Sequence, residues 1–524
     1  MTYLTHLIFT VIIFLYSGIA VFRLIQLKEY FFPSIFAHFD YPSSYIIFFK
    51  RTELILWLLW LLFVLLAIFG ITFQINIYWL IPLSIILIIL LIKRKEQLRL
   101  INYTPKAIFI LFVAFLINYR ILQYGEGNLT IATILLTTSF QFCVYILSTY
   151  LANIITKLYA NILYKKAERK ILNWLNKDKK RKIIGITGSY GKTSTKEILA
   201  QLLSKKYKVL KSPKRLNAEI GLSQFILNSE LENYELIILE MGARQTGEVE
   251  TMVSIFHPKI AFLTGLAPQH LATFGSLENI IKGEGLEIFK ELNSDGIAFL
   301  NGANELVAKI YEELNIHKKY LYASEKGQFY SKNEIFSLDG TEFDFIYPEG
   351  EVSLKTNLVG RHFLENLIGA LACAYILGIK PEELKEEIQN IILLPHQFEI
   401  VRKENPVIID DSYNANLVGV KRALEFFLQI PLSYRIVFFA GILELGVETP
   451  NIYYSLVQDF KKVDKIILTF RDYAEVFLEN IYNKVVIYKN EDIKEILKDY
   501  PLQETGILIL GRIPNKLLEE IRNL

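Results

Sequence analysis

Cysteine is nearly missing from this chain of 524 residues: Cys143 and Cys373 are its only two. Two isolated thiols build neither a disulfide framework nor a cysteine-based metal centre, so a reducing, cytosolic setting is expected for the soluble part. An excess of either charge is missing too. With 57 basic and 54 acidic residues the formal net charge is +3, which removes any global reason to expect nucleic acid as a partner. Charge is also nearly absent from the apolar runs that crowd the first 160 residues, with Arg120 the notable exception, so an ion path through a membrane is not indicated. No basic stretch precedes Leu7. That argues against a cleaved signal peptide and for a retained first helix.

What the first part has instead is hydrophobic length. Residues 5–22, 54–72, 77–92, 106–122 and 130–154 are each long enough to cross about 30 Å of hydrocarbon. Five crossings are the simplest count. Arg23, Lys28, Lys50 and Arg51 fall in the first connection and Lys93, Arg94, Lys95 and Arg99 in the third, which assigns those loops to the cytoplasm and the N-terminus to the outside. An α-helical, multi-pass domain in the cytoplasmic membrane is therefore expected over residues 1–160. A basic cytoplasmic linker, residues 161–182, follows it and is suited to anionic lipid. A plain anchor without chemistry of its own is an equally good reading of these helices.

From Lys182 onward the pattern changes to short apolar strands alternating with helical segments. The strands read KIIGIT, YELIILEMG, KIAFLTG and GIAFLN, then PVIIDDS, RIVFFAG, KIILTF and GILILG. This alternation predicts parallel sheets covered by helices, in two α/β domains over 183–395 and 396–524. Just inside the first lies GITGSYGKTSTKEIL: a strand to Thr187, a turn from Gly188 to Lys192, and a helix from Thr193 to Leu203. In that setting the amides of Gly188, Ser189, Gly191, Thr193 and Ser194 can cradle phosphates, Lys192 can bridge them, and the Thr193 hydroxyl can reach Mg²⁺. Ile186 stands where a strict phosphate-loop pattern has its first glycine.

The string from Thr187 to Thr193 resembles the ATP loop of the Mur ligases and folylpolyglutamate synthetases, which join a carboxylate to an amine through an acyl phosphate. The resemblance continues through most of the remaining chain. It implies a P-loop ATPase-like central domain, a Rossmann-like C-terminal domain, and ATP with Mg²⁺ as cofactors. Asn217 in LNAEIG resembles a substrate-binding asparagine, and Glu240, closing LIILEMGA, a Mg²⁺ ligand. A carboxylate at a strand end beside the loop is a sensible hard-oxygen ligand in its own right. His270 in PQHLATFG falls on the second-metal histidine, although a lone loop histidine is more often structural. Asn301, Asn366 and Gln397 are the further nucleotide-contacting positions that the resemblance implies. IDDSYNANL, residues 409–417, and GILELG, residues 441–446, are most similar to the branch of the family that adds D-alanyl-D-alanine. They imply that Asp411 orients nucleotide or amine, with Tyr413, Asn414 and Asn416 shaping the substrate side; an Asx turn capping a helix explains part of the same string.

The sequence also departs from the family. Glu284 stands where many members carry a carbamylated lysine, with Lys282 two residues earlier, and is expected to supply the carboxylate of a metal set Thr193, Glu240, His270 and Glu284. Phe363 replaces an asparagine in GRHFLEN. Gln397 follows the interdomain proline in place of an arginine, leaving Arg361 or Arg402 as substitutes, and Leu510-Gly511-Arg512 stands where the branch has Lys-Gly-Ser. The membrane segment occupies the place of the UDP-sugar-binding domain. The implied protein is a membrane-anchored, ATP-dependent amide ligase of peptidoglycan precursor synthesis, with its catalytic domains in the cytoplasm. Its substrates are a peptide-bearing cell-wall precursor, soluble or lipid-linked, and an amino acid or dipeptide such as D-alanyl-D-alanine. A polyglutamate-type ligase, a transport NTPase and an inactive scaffold are the competing readings.

Overall fold

Strands that are apolar at every position need cover on both faces, which a parallel sheet between helices supplies. The computed structural model describes residues 104–123 and 141–524, apart from 215, 293–294, 405, 443–444, 446–447 and 490. In it the most buried runs become β1 (Lys182–Thr187), β3 (Leu236–Glu240), β4 (Ile260–Leu263) and β5 (Ile297–Asn301), with β2 (Val209–Lys211) and β6 (Lys318–Tyr322) at the edges. All six pair in parallel in the order β2-β3-β1-β4-β5-β6. Strand β1 is central, so its C-terminal end delivers the phosphate loop to the middle of the sheet edge.

Three more strands, β7 (Tyr330–Ser337), β8 (Gly340–Tyr347) and β9 (Gly350–Thr356), form an antiparallel sheet that the sequence reading missed. The signal was there: Asp339-Gly340 and Glu349-Gly350 sit between alternating segments, a hairpin pattern. The C-terminal domain has β10 (Glu399–Arg402), β11 (Val407–Asp411), β12 (Tyr434–Phe439), β13 (Lys465–Leu468), β14 (Val485–Ile487) and β15 (Thr505–Leu510). Their order is β10-β11-β15-β12-β13-β14, parallel except for the antiparallel edge strand β10. The last strand thus inserts between β11 and β12, and the ends of these three carry Asp411, Arg512 and Gly441.

Residues 1–161 and 162–524 form two units. In the first, the spans expected at 5–22, 54–72 and 77–92 lie outside the described residues. The span expected at 106–122 coincides with the helix Pro105–Gln123, and part of 130–154 with the helix Gln141–Lys177. Among the described residues, no helix is long and apolar enough to cross a membrane.

Residues 162–177, read as a linker from their charge, are instead helical and docked. Ala167, Ile171 and Trp174 repeat at helical spacing and are buried in the core cluster of the central domain. The Trp174 indole donates to the Leu231 carbonyl at 2.8 Å, and Lys170 donates to the Leu227 and Ser229 carbonyls at 2.8 and 2.7 Å. Lys165, Lys166 and Arg169 lie on the exposed face, which is why charge alone read as a solvated tether.

Candidate nucleotide and ligation site

The phosphate loop is shaped by two left-handed glycines, Gly188 at φ 130° and Gly191 at φ 81°. A Cβ on Gly188 would lie 2.6 Å from Thr264 Oγ1, and one on Gly191 would lie 2.9 Å from Asn366 Oδ1. Only glycine fits either position. Ser189 donates its hydroxyl to Glu284 Oε2 at 2.6 Å and accepts from the Ala267 amide at 3.1 Å. Lys192 folds back so that Nζ donates to the Gly188 carbonyl, 3.8 Å from Glu284 Oε1. Glu284, 1% exposed, reaches the loop from the π-helical turn Ile281–Leu286. Such a wide turn redirects side chains by one position and recurs at functional sites.

The opposite side of the loop is organised by Glu240. Its Oε1 accepts from the Thr193 hydroxyl at 3.1 Å and from Asn217 Nδ2 at 3.4 Å, and its Oε2 from Lys196 Nζ at 3.0 Å. Lys196 is completely buried. The structure therefore brings Thr193, Asn217 and Glu240 together on one side and Ser189, Lys192 and Glu284 on the other. Adjacent hydroxyl and carboxylate oxygens at the start of a helix are hard donors that fit Mg²⁺. His270 heads the short turn Leu271–Phe274 with φ 56°, three residues beyond Ala267.

Among the described residues, the His, Cys, Asp and Glu side chains that lie close enough to share a cation are His396, Glu399 and Asp410, all within 4.8 Å of one another. That group already holds a cation of its own. The Arg522 guanidinium donates to both oxygens of Glu399 at 2.9 and 3.0 Å and also to Asp410, while His396 Nδ1 lies 2.7 Å from Asp410 Oδ2. It is an ion-pair network that ties the C-terminal helix Asn515–Arg522 to the start of the domain.

Asp411 ends β11, and its Oδ1 accepts from the Phe398 amide at 3.2 Å. Burial pushes its pKa up to about 7, the Phe398 hydrogen bond opposing and the Asp410 carboxylate adding. Tyr413 lies between two cations: Lys214 Nζ sits 4.9 Å from its ring centroid, and Arg512 Nε donates to its carbonyl at 3.1 Å. Lys214 comes from the central domain, so this contact spans the junction. Asn414 is exposed. Asn416 caps the helix Leu417–Gln429, its Oδ1 accepting from the Gly419 amide at 2.8 Å, so the capping alternative accounts for that residue.

Asn301 donates to the Thr264 carbonyl at 2.8 Å, and Asn366 is buried against Gly191. Phe363, 4% exposed, packs among His362 and Phe398. Burial, with Arg422 adding, pushes the His362 imidazole down to about 3. Gln397 is buried with its Oε1 lacking a partner among the described residues, between His396 at φ 68° and Phe398 at φ 48°. Neither arginine suggested as its substitute reaches inward. Arg361 pairs with Glu334 at 2.6 Å and is about half exposed, and Arg402 is exposed on β10. A guanidinium that does reach across the junction to a buried carboxylate is Arg422, 3.4 Å from Glu365 Oε1. Sequence reasoning passed over both, since an arginine on an amphipathic helix ordinarily faces water.

Comparison with known proteins matches residues 186–374 to the Mur ligase middle domain and residues 396–510 to the Mur ligase, glutamate ligase domain. The chain is 32% identical over 279 residues to the UDP-N-acetylmuramoyl-tripeptide--D-alanyl-D-alanine ligase of Escherichia coli, covering 53% of this chain and 61% of that one. It is 33% identical over 323 residues to the ligase of the same name from Borreliella burgdorferi, covering 59% and 67%. The chain thus spans roughly three fifths to two thirds of the length of these relatives. Among solved structures, MurF from Acinetobacter baumannii superposes with a TM-score of 0.63 at 22% identity, over 70% of this chain and 81% of that one. MurF from Thermotoga maritima in complex with ADP gives 0.60 at 23% identity, over 70% and 83%. These two show a shared fold.

Proposed function

Since the chain belongs to the Mur ligase family, we propose that it is an ATP-dependent, ADP-forming amide ligase that adds D-alanyl-D-alanine to a peptidoglycan precursor. The observation that carries this reading is the convergence of Lys192, Thr193, Glu240 and Glu284 on one glycine-shaped loop. The loop amides and Lys192 hold the polyphosphate of ATP. Thr193 and Glu240 would hold Mg²⁺, with His270 and Glu284 as ligands of a second ion. When bound, the metal neutralises phosphate charge and polarises the reacting oxygens.

The chain's own groups then act in sequence. Lys192 offsets charge as an acceptor carboxylate oxygen attacks the γ-phosphorus and the bond to ADP breaks, giving an acyl phosphate. Asp411, titrating near neutrality, orients the amine and can take its proton. The amine attacks the carbonyl carbon, and inorganic phosphate leaves. Tyr413, with Lys214 and Arg512 beside it, closes the domain junction against water that would hydrolyse the acyl phosphate. Asn301 and Asn366 support the loop from behind, and Gln397 lies buried just after the proline between the two domains.

The same proposal places residues 1–160 in the cytoplasmic membrane as a multi-pass domain, with the ligase facing the cytoplasm. The five apolar runs support this, as do Ile108, Phe112, Leu151, Ile155 and Leu158, each about 40% exposed or more. A lipid-linked or membrane-proximal acceptor is the substrate such an anchor would favour. Salt-washed membranes carrying the full chain test both parts at once. ADP release should stay with the membranes and should require both an acceptor carboxylate and an amine. Activity that leaves in the wash sinks the anchor, and acceptor-independent turnover sinks the ligase.

A further inference from the structure

The two α/β domains also meet at an ion pair with no place in the reaction described above. Glu365, on the central-domain helix Arg361–Ile376, is 8% exposed. Arg422, on the C-terminal-domain helix Leu417–Gln429, brings Nη2 to 3.4 Å from its Oε1. The other carboxylate oxygen accepts from Asn301 Nδ2 at 3.5 Å, and the same amide nitrogen donates to the Thr264 carbonyl at 2.8 Å. The Thr264 hydroxyl reaches the Thr187 carbonyl at 3.0 Å and also the Tyr190 carbonyl. A polar chain therefore runs from the C-terminal domain to both flanks of the Gly188-Ser189 turn.

The two ends of this chain are unequal. Arg422 also pairs with Glu425 at 3.1 Å on its own helix, an exposed contact of little energetic weight. Its partner across the junction is a nearly buried carboxylate, which is costly to leave unpaired. Docking of the C-terminal domain and charge balance behind the phosphate loop are thus the same event.

We propose that Arg422 and Glu365 form an interdomain latch, through which docking of the C-terminal domain holds Asn301, Thr264 and the phosphate loop in the shape that binds ATP. The proposal rests on the loop being an ATP site. Arg422 is a positioning residue, and ATP affinity responds to it although its hydrogen bonds go to Glu365 and Glu425 and not to the loop.

Calorimetric titration of ATP into the purified full chain tests this without relying on ligation. Arg422→Ala should weaken ATP binding about tenfold, Glu365→Gln alone should also weaken it, and the double variant should be no weaker than Arg422→Ala, as expected for two coupled groups. A merely structural role for Arg422 would leave the two substitutions additive. Wild-type affinity in Arg422→Ala, or a double variant weaker than Arg422→Ala alone, would overturn the latch. Should the alanine variant not fold, Arg422→Gln gives the same reading with the start of the side-chain stem kept. Failure of the unaltered chain to bind ATP would overturn the ATP-site reading itself, which is a separate outcome.

Discussion

Replacing Lys192 with alanine is expected to lower the rate of ADP formation about 10³-fold, the upper end of what one preorganised donor contributes, with a smaller loss of thermal stability than Glu240→Ala causes. The first half follows from the cation inventory of the loop. Lys196, one helical turn on, is committed to Glu240 at 3.0 Å and is fully buried. Lys192 is the cation inside the turn, and it is held there by a backbone carbonyl that phosphate oxygens can replace. The second half follows from its partners: Glu284 is 1% exposed and loses a cation 3.8 Å away, which costs stability, but it keeps its 2.6 Å hydrogen bond from Ser189, which offsets part of that cost. Rates of ADP release and melting temperatures, measured on the same preparation, check both. A slow variant that melts as early as Glu240→Ala would mean that Lys192 builds the loop rather than acts in it.

Glu240→Ala should fail twice, in activity and in stability. Removing the carboxylate strands the Lys196 ammonium in the core, a loss of about 3–5 kcal/mol for a broken buried pair. Glu197 lies 3.8 Å from the same ammonium, but it is also tied to Lys211, so it offsets only part of the loss. The lower end, about 3 kcal/mol, is expected in urea unfolding. The two failures can be separated. Adding Lys196→Met to the Glu240→Ala chain removes the stranded charge, and stability should return while ADP formation stays lost. If activity returned as well, Glu240 would be a structural partner of Lys196 and not part of the nucleotide site.

How much of this was legible in the sequence depended on whether local pattern or distant contact decided the outcome. The eight apolar runs quoted from the sequence each contain a strand, because a segment such as LIILE, buried at every position, has few alternatives. The phosphate loop was legible for the same reason: strand, glycine turn and helix are adjacent. The helix at 162–177 was misread because three buried residues, Ala167, Ile171 and Trp174, were outnumbered by charges whose exposed face looks like a tether. Arg422 was invisible because its importance lies in Glu365, 57 residues away. Asn416 shows the opposite limit, since the motif around it suggested substrate while its side chain serves the nearest helix.

The central claim is that the acceptor carboxylate is phosphorylated before the amide forms. It is tested most directly by supplying the full chain with acceptor whose carboxylate carries ¹⁸O, together with ATP and the amine. Phosphorylation followed by amine attack leaves one carboxylate oxygen on the departing phosphate, so the inorganic phosphate should contain ¹⁸O in step with amide formed. Unlabelled phosphate released at the same rate would show that water, not the carboxylate, attacks ATP, and would contradict the account.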